Sequence, residues 1–73
     1  MNLKTMAKKA QDQADAWNAK YPPGTAVIVT RDVGPKLETH TRSIAWEASC
    51  TAIVKVDGIA GGYDLDRIRV VAK

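Results

Sequence analysis

Along the first twenty residues the apolar positions recur at helical spacing. Leu3, Met6, Ala7, Ala10, Ala14 and Trp17 follow the i, i+3, i+4, i+7 pattern that gathers them on one face. Lys4, Lys8, Gln11, Asp12, Asp15 and Asn18 fall on the other. The spacing predicts a helix over residues 1–20, with Asn2 as its N-cap. It stops hard at "YPPG", because the residue before a proline avoids helical backbone angles. A short alanine-rich helix is marginal alone. Its stripe therefore predicts docking on a sheet, with Trp17 largely buried there.

From Thr25 onward the period changes to two. "TAVIVTR" (25–31) reads as a strand and "RDVGPK" as a turn, with Gly34 supplying permissive angles and Pro35 barring a helix. "KLETHTR" (36–42) alternates as a second strand, whereas residues 43–49 show no clear period and are expected to be a turn or a bent strand. "CTAIVKV" (50–56) is rich in β-branched residues and reads as a third strand. Asp57-Gly58 signals a tight type I′ hairpin, Gly61 and Gly62 a bulge or bend, "DLDR" a turn, and "RIRVVA" (67–72) a closing strand. The expected fold is one α+β domain over residues 1–73. Its helix, 1–20, packs on a small, strongly bent antiparallel β-sheet or SH3-like barrel of about five strands within 25–73.

Composition limits what can hold this together. A chain of 73 residues buries only about 60% of the surface its unfolded form exposes. One cysteine closes no internal disulfide, and with one histidine it supplies too few ligands for a structural zinc. No metal site and no cofactor is expected. The fold stands on packing alone, or is completed by association with itself, as a homodimer, or with another molecule. A lone cysteine points to a reducing compartment. The N-terminal stretch has no signal-type apolar run, and no segment reaches membrane-spanning length. The expectation is a cytoplasmic protein with no membrane association. The net charge of +3 and pI of about 9.3 permit nucleic acid as a partner without demanding it.

The densest chemistry lies in "THTRSIAWEASC" (39–50), which holds the only histidine, the only cysteine and one of two tryptophans. In a regular strand His40 and Ser43 face opposite sides, and neither finds the base or orienting group a serine nucleophile needs. Cys50 shares parity with Ala52, Val54 and Val56, which predicts a small buried hydrophobe in an apolar row. "GIAGG" (58–62) is followed by Asp64 and Asp66 and by a strand, unlike a phosphate-cradling loop. No catalytic residue is assigned. What remains is a polar edge with an aromatic anchor: His40, Arg42 and a partly exposed Trp46 as a protein-binding face. The alternative is a nucleic-acid stripe built from Arg31, Lys55, Arg67 and Arg69, in which Arg67 and Arg69 share a strand face. Against it, Asp64 and Asp66 sit beside those arginines, and residues 21–73 are close to charge-balanced.

Three segments, "WNAKYPPGTAV", "LETHTRSIAW" and "AIVKVDGIAGGYDLDRIRVV", resemble a group of small, mostly uncharacterised proteins of phages, prophages and bacterial genomes. The likeness spans about residues 17–71. It rests on a Tyr-Pro-x-Gly-Thr segment, a Thr-Arg-Ser-x-Ala-Trp segment and a Gly-Gly-x-x-Leu segment, and departs from the pattern just after Trp46. It implies a compact SH3-like barrel of phage or mobile-element origin and carries no catalytic residues. The expectation it supports is a non-enzymatic accessory protein of the host cytoplasm. Such a protein would bind a host protein or nucleoprotein complex, as an inhibitor of bacterial defence of the anti-CRISPR kind would. DNA-mimicking inhibitors are acidic, so a basic chain would act by covering a protein surface.

Overall fold

The computed structural model describes residues 3–71, so the expected cap at Asn2 and the end of the expected closing strand at Ala72 lie outside the described residues. Helix α1 runs Leu3–Lys20. Six strands follow: β1 (Ala26–Val29), β2 (Leu37–His40), β3 (Trp46–Ala48), β4 (Thr51–Lys55), β5 (Gly62–Asp64) and β6 (Ile68–Val70), with a 3₁₀ turn at Leu65–Arg67 before the last. They form two three-stranded antiparallel sheets, ordered β2-β1-β6 and β3-β4-β5. Among the described residues a single bridge, Thr41 to Val56, joins the sheets where the chain leaves β2. The α+β class and the strongly bent sheet are as expected. The bend is resolved into two sheets with separate ladders rather than one closed barrel.

Both sheets have one dry face. In β1 Val27 and Val29 are buried, and in β4 Ala52 and Val54, following the period of two. With Val56, Leu65 and Ile68 they form one core, into which α1 inserts Ala10 and Ala14. Alanine suits that place because a methyl group lets the helix backbone lie close to the sheet. Trp17 is only half-buried, less than the spacing predicts, and meets the Tyr21 ring at a tilt, with centroids 4.7 Å and planes 56° apart. The apolar stripe also outruns its support. Eighteen residues make a helix of about 27 Å, whereas the five residues of β4 span about 17 Å. Leu3 is consequently 71% exposed and Met6 37%.

Two turn assignments change. Strand β3 arises from the stretch without a period, because Trp46, Glu47 and Ala48 are all half-buried and leave no alternation to read. Its register, Ala48 opposite Thr51, gives the two-residue hairpin to Ser49-Cys50. Both adopt positive φ, 50° and 64°, as a type I′ turn requires. Asp57-Gly58 is not that turn. Only Gly58 has positive φ there. The pair lies in the longer connection between Lys55 and Gly62, where the Asp57 N–H is held by the His40 carbonyl.

Candidate binding face

Most of the polar stretch 39–43 is consumed in holding the chain together. Thr39 Oγ1 donates to the Asp57 carbonyl at 2.8 Å. Thr41, 2% exposed, accepts the Thr25 N–H. Ser43 Oγ donates to the Ile44 carbonyl at 2.8 Å and accepts the Lys55 N–H at 3.1 Å. Ser43 is thus a backbone brace in the corner between the sheets. His40 is exposed at the end of β2, in the first sheet, so it does not share a sheet with Trp46.

Arg42 is exposed yet anchored. Its N–H donates to the Lys55 carbonyl at 2.9 Å, Nε to the Val56 carbonyl at 3.2 Å, and Nη2 to the Ile59 carbonyl at 3.4 Å. Carbonyls fix a guanidinium without cancelling its charge. Among the described residues the ion pairs are Lys8–Asp12 at 3.3 Å and Arg67–Asp32 at 2.6 Å, and neither involves Arg42.

The second sheet turns an apolar strip away from the core. Trp46 stands opposite Ile53, whose neighbours Ala52 and Val54 face inward. The alternation extends back along the chain: Ala45 is buried at 2%, and Ile44 before it is 59% exposed. Neither Trp46 nor Ile53 belongs to the partly buried residues packed on the core. Ile53 instead lies across Gly62, where a Cβ would stand 2.6 Å from its Cδ1. Lys55 shares the parity of Ile53, and Arg42 lies beside Lys55 on the ladder that starts at the Thr41–Val56 bridge. The face therefore carries Ile44, Trp46 and Ile53 with two cations at one end. Sequence reading finds Trp46 and Arg42 but misses Ile44 and Ile53. The signal available was the alternation Ile44-Ala45-Trp46, masked by the aperiodic residues after it.

The helix is pinned to this sheet by a residue assigned to its wet face. Asn18 Nδ2 donates to the Ala45 carbonyl at 2.9 Å and Asn18 Oδ1 accepts the Ala45 N–H at 2.8 Å. The side-chain amide thereby pairs with Ala45 as a neighbouring strand would.

The four alternative basic residues stand on different elements. Arg31 Nε and Nη2 close on the Pro35 carbonyl at 3.2 and 3.1 Å. Arg67 belongs to the 3₁₀ turn, not to the strand of Arg69, and pairs with Asp32. Arg69 is exposed on β6 opposite Ile28, which has Glu38 on its other side. Lys55 belongs to the other sheet. Cys50 also departs from its expected place. Ala52, Val54 and Val56 are buried, but Cys50 is a half-buried turn residue whose thiol lies 3.7 Å from the Leu3 carbonyl. It borders a cleft of about 340 Å³ with Met6, Gln13, Asp64 and Asp66. Gln13 Nε2 and Asp66 Oδ1 already bond to each other there at 2.9 Å.

Among the described residues no helix is long and apolar enough to cross a membrane. No family model, no curated protein and no solved structure matches the chain.

Proposed function

We propose that this chain is a non-enzymatic binding protein that engages another protein through the outer face of its second sheet. The observation that carries the reading is the Ile44–Trp46–Ile53 strip. In so small a domain, an exposed Ile44 beside half-buried Trp46 and Ile53, the latter two not packed on the core, is apolar surface that association would remove from water. A tryptophan among aliphatic neighbours, with an arginine close by, has the composition of an interface centre. The resemblance to phage and prophage proteins supports a host protein complex as the partner and inhibition of a bacterial defence system as the purpose. The lone cysteine supports the host cytoplasm as the place.

The test is affinity capture from a bacterial lysate, comparing the parent with Trp46→Ser and with Val33→Ser, a change at a residue 85% exposed in the turn after β1. Proteins retained by the parent and by Val33→Ser but lost by Trp46→Ser would establish the face. Equal capture by all three would remove it. A partner that leaves at moderate salt irrespective of Trp46, with nucleic acid in the eluate, would favour the basic residues instead.

A further inference from the structure

We infer that the partner segment taken by this face is acidic: an apolar side chain seated on Trp46 and Ile53, with carboxylates beside it reaching Arg42 and Lys55. The inference rests on the protein-binding reading and adds the chemistry of what is bound. Arg42 and Lys55 are ladder neighbours on the outer side of the second sheet, the Arg42 N–H donating to the Lys55 carbonyl, and Lys55 is two residues from Ile53 along β4. Two cations thus border the apolar strip at one end. The Arg42 guanidinium has five N–H donors. Two of its nitrogens are held by the carbonyls of Val56 and Ile59, which set its orientation and leave its charge un-neutralised. A guanidinium held in place before binding loses little rotamer freedom when a carboxylate arrives, and planar pairing favours carboxylate over a generic acceptor.

The acidic groups of this region do not fill that role. Asp64 stands opposite Ile53, but its Oδ1 accepts the Asp66 N–H at 2.9 Å and caps the 3₁₀ turn. Asp57 is exposed in the loop that Arg42 braces and forms no ion pair with it. A nucleic-acid strand fits less well. Its bases stack on aromatic rings, and this face offers one ring between aliphatic side chains. Phosphate tracking needs a row of cations, whereas Arg67 is already paired with Asp32 and Lys55 lies on the other sheet from Arg69.

The experiment is selection from a library of random short peptides displayed on phage, panned against the parent protein. Trp46→Ser, Lys55→Glu and Arg42→Gln serve as comparison baits, each first shown to fold by thermal melting. The expected result is enrichment of Asp and Glu next to an aromatic or aliphatic residue. A selected peptide should then bind Lys55→Glu about tenfold more weakly than it binds the parent, and rising salt should weaken binding to the parent and narrow that difference. Lys55→Glu alone decides the matter if Arg42→Gln fails to fold. Peptides that need Trp46 but show no acidic bias, or bind Lys55→Glu as well as the parent, overturn the charge inference and leave the face standing. Peptides indifferent to Trp46→Ser overturn the face itself. An empty selection, or preferential retention of a single-stranded thymidine oligonucleotide, also overturns an acidic peptide as the ligand.

Discussion

Asn18 shows how one side chain can do the work of a strand. Its amide satisfies both backbone groups of Ala45, which is 2% exposed and has no water to turn to. Asn18→Ala should lower stability by about 2 kcal/mol, since a buried donor and acceptor lose their partner together. Asn18→Asp should not restore it, because the carboxylate keeps the acceptor for the N–H but opposes the Ala45 carbonyl with a second oxygen. Urea unfolding of the three proteins checks both statements. Gly62 is a second position where a single atom decides. A methyl group there meets Ile53 Cδ1 at 2.6 Å and its Cγ1 at 3.1 Å, so Ile53 must move off its shelf. Gly62→Ala is expected to cost about 1–3 kcal/mol as an overpacking change. In a double-mutant cycle with Ile53→Ala, the penalty should fall by about 1 kcal/mol because the clashing atoms are gone. Strict additivity would place the strain elsewhere.

Among the elements, the β3–β4 hairpin is the most exposed to improvement. Ser49 and Cys50 are held at positive φ, where a side chain crowds the backbone, and neither is a residue that tolerates this well. The Glu47 carboxylate partly offsets the strain by accepting the Cys50 N–H at 2.8 Å. Replacing the pair with Asn-Gly, the residues that type I′ turns favour, should raise stability by about 1 kcal/mol or more. The gain should appear as a higher urea midpoint at unchanged slope. Asn-Gly leaving the midpoint unmoved would show that the thiol contact with the Leu3 carbonyl offsets the backbone strain.

For the whole molecule, stability depends on how firmly the helix is docked on the second sheet. Trp17 packs on the core and on Tyr21, while its Nε1 is buried without a hydrogen-bond partner. Trp17→Ala should cost about 2–3 kcal/mol, somewhat less than a fully buried tryptophan. That is a large share of the small total expected for a chain of this length. Trp17→Phe should cost distinctly less, because the ring contact remains and the unsatisfied indole N–H disappears. Thermal melts followed by near-ultraviolet circular dichroism separate the two. Equal destabilisation by both would mean that the ring contact with Tyr21 and the core contributes little.

The helix, its end at Pro22, the strands of β-branched residues and the buried row Ala52-Val54-Val56 were all readable from the chain, because each depends on neighbours within a few residues. The absence of an internal disulfide followed from one cysteine. Tertiary structure decided the rest. Pairing register gave the tight turn to Ser49-Cys50 rather than to Asp57-Gly58, although the latter has the stronger local preference. Packing brought Asn18 from the polar face of the helix to Ala45, 27 residues away. The bend between the sheets turned Thr39, Thr41, Ser43 and Arg42 from a polar edge into braces, and left exposed Ile44 with half-buried Trp46 and Ile53 as the apolar strip. Local sequence sets how a segment can bend and which of its faces is apolar. Which polar group finds a partner, and which apolar face stays uncovered, depends on residues far apart in the chain, and only their meeting in the fold settles it.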